Sequence, residues 1–312
     1  MRIYPLVSIC IPVYNAGEFI APLVQCLESN TYPHTEIIIS DDASQDGSLR
    51  LLQAANLPNC RIFTHARYGL VGNWNFCVSQ AQGKYVKFLF QDDTIAPDCI
   101  TKMVNLAEQD EEIGLVFCPR RLVFARSIDA NFIKGMQDLH RRWTRLESIQ
   151  SGLSLLRDAN FLKPPYNKIG EPTNVLIRRE VFPQIGLFDP SFKQLCDLEM
   201  WLRIMADYKV GFVDEELATF HIHAEQTTNR NLNGDRIATL FEIYKVWLKI
   251  IFNKTYHSLP KDLRQNLRQE LIKILLIKGA KSIILLRWYQ AQRVKELLTE
   301  ALVTKLELAS DE

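Results

Sequence analysis

The chain has 312 residues, 47% of them hydrophobic and 23% charged, a balance that suits an ordinary globular protein and excludes a fibrous or disordered one. Lys and Arg number 37 against 36 Asp and Glu, so a net charge of +1 leaves no strong nucleic-acid footprint. The charge is uneven: from Asp235 onward 14 Lys and Arg face 9 Asp and Glu, while the remainder carries 23 against 27, which makes the tail the basic end. Seven cysteines (Cys10, Cys26, Cys60, Cys77, Cys99, Cys118, Cys196) are scattered with no C-x-x-C pair. Such a set argues for a reducing compartment and against a disulfide framework or zinc site. Met1-Arg2-Ile3-Tyr4-Pro5 leads straight into a strand-like run, so no signal peptide is expected, and no run of about 18 uncharged apolar residues reads as a transmembrane helix. The expected location is cytoplasmic.

In chain order, Val7-Ser8-Ile9-Cys10-Ile11-Pro12-Val13 is a β-rich apolar run and the first predicted strand. A loop at 14–17 precedes helical spacing over 19–29 (Phe19, Ile20, Leu23, Val24, Leu27). The second strand, 36–40, ends in Asp41-Asp42-Ala43-Ser44-Gln45-Asp46-Gly47-Ser48 and is followed by a short helix over 48–55. A third strand is expected at 60–63 and a helix at 73–82. Tyr85-Val86-Lys87-Phe88-Leu89-Phe90 reads as a central strand running into Gln91-Asp92-Asp93, with a helix at 97–108 and a strand at 114–118 behind it. Strand and helix alternate throughout, the signature of βα units and a mainly parallel sheet.

Two of these strands end in paired carboxylates. With right-handed crossovers both ends fall on one edge of the sheet, and the acidic groups converge on one crevice. Adjacent carboxylates repel unless something positive lies beside them, and a divalent cation carrying an anionic ligand answers that, since hard cations take oxygen ligands. The plainer reading of Asp92-Asp93 is a loop and helix cap. An acidic crevice suits a metal-bound diphosphate, or a base whose ring N–H is read by a carboxylate. Neither G-x-G-x-x-G nor a Walker A sequence is present.

Further along, 124–146 reads as a loop-rich insertion over the sheet edge, with Arg120, Arg121, Arg126, Arg141, Arg142 and Arg145 in and just before it and no strong period. Its arginines either meet phosphates or form a solvated surface. A helix is expected over 147–160, a loop over 164–172 and a strand at 174–177. The run 194–204 has helical spacing with Leu198, Trp201 and Leu202 inward, and Asp197 falls in its first turn. There Asp197 is either a cap favoured by the helix dipole or an oriented carboxylate placed to take a proton. Short strands follow at 210–213 and 218–223, and the period of two puts His221 and His223 on one face, as metal ligands or as satisfied histidines. From Asp235 onward helices are expected at 237–252, 262–286 and 290–306. The second is apolar from Leu271 but carries Lys273, Lys278 and Lys281, which suits packing on a core or lying on an anionic membrane face.

Taken together, Val7–Asn15, Ser40–Ser48, Phe88-Leu89-Phe90-Gln91-Asp92-Asp93, Gly186-Leu187-Phe188-Asp189, Asp197-Leu198-Glu199-Met200-Trp201-Leu202-Arg203 and Phe220-His221-Ile222-His223 resemble the family 2 inverting glycosyltransferases, over about residues 7–226. The resemblance implies a GT-A fold, a Rossmann-like, mainly parallel α/β sheet flanked by helices. It would occupy 1–230, with a C-terminal helical region over 231–312. It implies a nucleotide-sugar donor, UDP-linked by expectation, bound by Pro12, Tyr14 beside the base, Asp42 reading the uracil N3–H, and Asp92. Mg2+ or Mn2+ would be held by Asp93 and touched by His223, and Asp197 would be the catalytic base. The acceptor would be a saccharide or lipid-linked saccharide in polysaccharide or glycoconjugate synthesis, held by the loops 124–146 and 164–173. Nucleic acid is not expected as a partner, and the basic helices would supply any peripheral contact with a membrane. The chain departs from the family pattern at Phe90, which stands where many members have an Asp. It departs again at Cys196, in place of the Glu of a Glu-Asp pair, and at Trp74, near the place of an Arg. Those departures keep open the alternative of a nucleotide-sugar-binding module without chemistry.

Overall fold

The computed structural model describes residues 4–124, 135–223, 236–253, 256, 258–284 and 288–303. The chain divides into two compact units, Met1–Gln226 and Thr227–Glu312. The first begins with β1 (Val7–Val13), buried at every position, then α1 (Ile20–Ser29), β2 (Thr35–Asp41), α2 (Ser48–Ala54), β3 (Cys60–Thr64), α3 (Gly69–Gln80) and β4 (Tyr85–Phe88). It continues through β5 (Thr94–Ile95), α4 (Cys99–Ala107), β6 (Ile113–Phe117), β7 (Arg120–Phe124), β8 (Ile149–Ser151) and α5 (Gly152–Leu156). The unit ends with β9 (Val175–Arg178), α6 (Val181–Ile185), α7 (Cys196–Asp207), β10 (Lys209–Phe212) and β11 (Ala218–Ile222).

Eight strands form one sheet in the order β3-β2-β1-β4-β9-β6-β10-β8. The pairs β1–β2, β2–β3, β1–β4 and β6–β10 are parallel, whereas β9 is antiparallel to both β4 and β6, and β8 is antiparallel to β10. The continuous apolar runs of β1 and β2 are what a sheet covered on both faces requires. Ile9, Ile11 and Val13 of β1 pack with Ile37 and Ile39 of β2, Leu23 of α1 and Met103 of α4 in one core. Full burial of such side chains contributes about 1.5–3 kcal/mol each. A second, three-stranded sheet, β5-β11-β7, grows from the turn after Asp93: Thr94 pairs with Thr219 and Ile95 with Ala218.

Several expected elements differ. The helix expected over 147–160 is instead the strand β8 followed by five helical residues. Ile149, Gln150 and Ser151 pair with β10, and the turn into α5 brings Gly152 so close to α7 that a Cβ would stand 2.2 Å from the Met205 carbonyl oxygen. The helix expected from residue 73 starts at Gly69, and the strand expected to reach residue 90 leaves the ladder after Phe88. In the insertion expected at 124–146, β7 runs to Phe124 and a 3-10 turn covers Leu139–Arg142, whereas residues 125–134, Arg126 among them, lie outside the described residues.

The second unit holds α8 (Arg236–Phe252), α9 (Lys261–Ile284) and α10 (Trp288–Val303). Leu263, Leu267, Leu271 and Leu275, spaced one turn apart on α9, are buried, whereas Leu276 and Ile277 are exposed beside exposed Lys273. The ends expected at 286 and 306 fall outside the described residues. Among the described residues no helix is long and apolar enough to cross a membrane.

Candidate active site

The strand order reverses at β1, with β2 on one side and β4 on the other. In such sheets the crevice at the carboxyl ends beside the reversal is where ligands bind. Here β1 and β2 stay paired as far as Val13 and Asp41, but the β1–β4 ladder stops at Cys10 and Phe88. Pro12, which carries no N–H, lies beyond that point, and Tyr14 follows at the end of the strand. The guanidinium of Arg67 lies over the Tyr14 ring, 3.4 Å from its centroid. Gln91 holds the Tyr14 peptide on both sides: the Tyr14 N–H donates to Oε1 (2.8 Å), and Nε2 donates to the Tyr14 carbonyl (3.2 Å). The acidic turn is thereby fastened to the loop that carries the aromatic platform.

Asp42 sits at the end of β2 with 2% of its surface exposed. Its carboxylate accepts the backbone N–H of Tyr68 (2.6 Å) and of Gly69 (3.0 Å), the start of α3. This is why α3 begins four residues before the apolar period suggests: the carboxylate satisfies N–H groups that a helix start leaves without partners. His65 stands 3.7 Å from Asp42 and stacks on Tyr68.

The two carboxylates after β4 face different surroundings. Asp93 is 1% exposed; its Oδ2 accepts the Thr173 hydroxyl (2.7 Å) and its Oδ1 the His221 backbone N–H (3.2 Å). Burial, aided by the neighbouring charge of Asp92, pushes the Asp93 carboxyl well above the usual carboxylate range. Asp92 is more open, and its Oδ2 lies 2.9 Å from His223 Nε2. His223 also packs against Phe19, with ring centroids 5.1 Å apart. Of the two residues expected to hold the metal, His223 stands against Asp92, whereas Asp93 is buried and bonded to Thr173 and to the His221 N–H, which ties the turn to β11. The open Asp92 oxygen suits Mn2+ or Mg2+, which take oxygen ligands, while the His223 nitrogen suits the softer Mn2+ better than Mg2+. Among the described residues no group of three His, Cys, Asp or Glu forms a full cage, so a diphosphate and water would complete the set.

Asp197 is the second residue of α7 and 9% exposed. Its Oδ1 accepts the Leu198 N–H (2.6 Å) and its Oδ2 the side-chain amide of Asn167 (2.9 Å). Burial pushes its carboxyl up to about 7, and the charge of Glu171 adds to the rise against the pull of those donors. The segment 167–173 links this carboxyl to the acidic turn: Asn167 holds Asp197, Trp201 of α7 donates to the Gly170 carbonyl (2.9 Å), and Thr173 holds Asp93. Glu171, between them, pairs with Arg120 of β7. Arg67, Gln91, Asn167, Glu171 and Thr173 escape the sequence reading because each lies in a loop or turn whose partners are distant; the polar loop over 164–172 is the one local signal.

The departures at Phe90 and Trp74 meet in space. Their rings are 4.9 Å apart, and Trp74 meets Phe188 edge-on at 5.3 Å. An aromatic wall thus stands beside the acidic turn. Cys196, the other departure, is 1% exposed.

Against known proteins, the profile of Glycosyl transferase family 2 matches residues 8–186. TuaG of Bacillus subtilis (strain 168), a putative teichuronic acid biosynthesis glycosyltransferase, is 36% identical over 211 residues, 67% of this chain and 74% of its own length. Among solved structures, S. aureus TarS 1-349 in complex with UDP-GlcNAc is similar with a TM-score of 0.58 at 15% identity, covering 95% of this chain and 90% of that one. The mannosyltransferase PcManGT of Pyrobaculum calidifontis, in complex with GDP-Man and Mn2+, is similar with a TM-score of 0.57 at 16% identity, covering 97% of this chain and 87% of that one. The fold is the GT-A fold of these transferases. The profile match spans more than half of the chain, and on that ground the chain belongs to glycosyl transferase family 2.

Proposed function

We propose that this chain is an inverting glycosyltransferase that moves a sugar from a UDP-linked donor to an acceptor hydroxyl in the synthesis of a polysaccharide or glycoconjugate. The observation that carries the reading is the single segment 167–173, which fastens a carboxyl with a pKa of about 7 to the same turn that presents Asp92 against His223. A general base works best when its pKa lies near the working pH, and Asp197 meets that condition. The UDP-GlcNAc complex of TarS and the Mn2+ complex of PcManGT support a nucleotide-sugar donor and a divalent cation. TuaG supports the polysaccharide setting.

In this reading Tyr14 and Arg67 receive the nucleobase between β1 and α3, and Pro12 shapes the floor. Asp42 builds the start of α3 beside them and reads the base from there. Asp92 and His223 would hold the cation, with Asp93 fixing the turn through Thr173 and the His221 N–H. The cation, when bound, neutralises charge growing on the leaving diphosphate. Asp197 takes the proton of the acceptor hydroxyl as its oxygen bonds to the sugar C1 on the face opposite the departing diphosphate. The C1–O bond to the diphosphate breaks, the proton stays on Asp197, and the anomer inverts.

Asp197→Asn is expected to keep donor binding and lose about 10²–10⁴-fold in transfer, measured as acceptor-dependent release of UDP. Full transfer by this variant would remove Asp197 as the base. The replacement of polar groups by the Trp74–Phe90 wall favours a second reading, a module that binds nucleotide-sugar without turnover. Binding of donor with neither hydrolysis nor transfer would support it. Contact of the helical tail with a membrane is a further proposal, supported by exposed Leu276 and Ile277 beside Lys273.

A further inference from the structure

The unit Met1–Gln226 is acidic as a whole, with 22 Lys and Arg against 27 Asp and Glu. Residues 138–168 carry 6 Lys and Arg against 3 Asp and Glu, while the rest of 1–226 carries 16 against 24. Arg141, Arg142, Arg145 and Lys163 are all exposed. Arg141 has 74% and Arg145 83% of its side chain in solvent, so the pairing of Arg145 with Glu147 leaves its guanidinium open to a further ligand.

This basic strip is fastened to the loop that carries the base. Asn160 donates to the Arg142 carbonyl (3.1 Å), and Thr144 donates its backbone N–H to Asp158 (2.9 Å). Buried Lys168, next to Asn167, donates to the carbonyls of Phe161 (3.2 Å), Lys163 (2.8 Å) and Pro165 (2.9 Å), and its ammonium stands 5.4 Å from the ring of buried Trp143. The strip and the Asp197–Asn167 pair therefore belong to one packed loop system. Exposed arginines are ordinarily just solvated. Here they are concentrated on an otherwise acidic unit and mounted on the support of the base, and guanidinium forks match carboxylate and phosphate oxygens in a way a point charge does not.

We infer that the strip around Arg141, Arg142, Arg145 and Lys163 is the docking face for the acceptor, and that the acceptor is an anionic glycan, bearing carboxylates or phosphodiesters along its chain. The inference rests on Asp197 as the base. The chain would lie across the guanidinium groups and lead its terminal hydroxyl toward Asp197, while the acidic remainder of the unit turns wrong registers away.

The test measures binding to the full chain, without donor, of three fluorescent oligosaccharides: uronate-containing, phosphodiester-linked and neutral glucan. Anionic-lipid vesicles form a fourth arm. One or both anionic oligosaccharides are expected to bind, and to bind about tenfold or more weakly to the combined variant Arg141→Ala, Arg142→Ala, Arg145→Ala and at raised salt. Which of the two binds distinguishes the carboxylate source from the phosphate source. The variant should keep the thermal shift given by UDP with Mn2+, which shows that it folds. Equal binding of neutral glucan, unchanged binding by the variant, or capture by vesicles with neither anionic oligosaccharide bound would each overturn the inference. Because this readout needs no turnover, its failure is separate from a failure of Asp197→Asn to lose transfer.

Discussion

At the scale of single residues, the chemistry depends on two carboxylates being kept unlike each other. Burial raises the Asp197 carboxyl from an ordinary value of 3.8 to about 7, so the folded chain holds that proton more tightly than the unfolded chain does. The sign follows: the native state is favoured below about pH 4, where both states are protonated, and loses stability as pH rises toward 7, because only the unfolded chain gives up the proton freely. The base must be unprotonated to work, so transfer is expected to rise with pH along a limb near 7 while stability falls. Asp197→Asn should then melt higher than the parent at pH 8, by up to a few kcal/mol, with a much smaller difference at pH 4. A pH series of melting curves reads this directly, and a difference independent of pH would contradict it. The acidic turn gives a second contrast. Asp92→Asn removes an open oxygen and is expected to abolish the Mn2+ dependence of donor binding with little loss of stability. Asp93→Ala strips Thr173 and the His221 N–H of their acceptor and is expected to cost about 1–3 kcal/mol for each group left without a partner, lowering the melting point before any metal is added. Urea titration of both variants with and without Mn2+ separates the two roles.

At the scale of elements, the loop that holds the base is itself held by one buried ammonium. Lys168 is 1% exposed and donates to three carbonyls, and burial lowers its pKa to about 8, which the charge of Asp158 offsets only in part. Lys168→Met keeps the length and apolar stem but leaves those carbonyls without their donor. It is expected to lower stability by about 3 kcal/mol and to slow transfer more than it weakens UDP binding, since Asn167 loses its footing while the platform of Tyr14 and Gln91 is untouched. Equal losses in both would mean that the loop does not act through Asp197. The same elements show what a sequence can and cannot disclose. β1, β2 and β4 are legible because both faces are buried and the residues run largely apolar, and the paired carboxylates stand out beyond β2 and β4. The segment 149–156 misleads because Ile149, Leu153, Leu155 and Leu156 satisfy a helical period, while its true state is set by pairing with β10 and by the contact of Gly152 with α7, both remote in sequence. The antiparallel course of β9 between β4 and β6 leaves no local mark either. Nor does the sequence tell Asp92 from Asp93. The choice is made by Thr173, 80 residues further on, and by the His221 N–H, 128 residues further on.

At the scale of the whole molecule, the division into Met1–Gln226 and Thr227–Glu312 carries its own consequence. Every residue proposed for donor, cation or base lies in the first unit, and in the second Leu263, Leu267, Leu271 and Leu275 are buried. A ligand that binds only the folded state stabilises the unit that holds its site, by about 2.7 kcal/mol at a hundredfold excess over the dissociation constant. For a unit of this size each kcal/mol moves the midpoint by about 2–4 °C, so UDP with Mn2+ should raise its transition by about 5–10 °C. Scanning calorimetry of the full chain is therefore expected to show two transitions, with only one of them moved by UDP and Mn2+, and that movement lost in Asp92→Asn. A single transition that shifts as a whole would mean that the two units melt as one cooperative body, and would withdraw the proposal that residues 1–230 and 231–312 are separate domains. Two transitions, neither of which responds to any nucleoside diphosphate in well-folded protein, would instead remove the donor site from the crevice between β1 and β4.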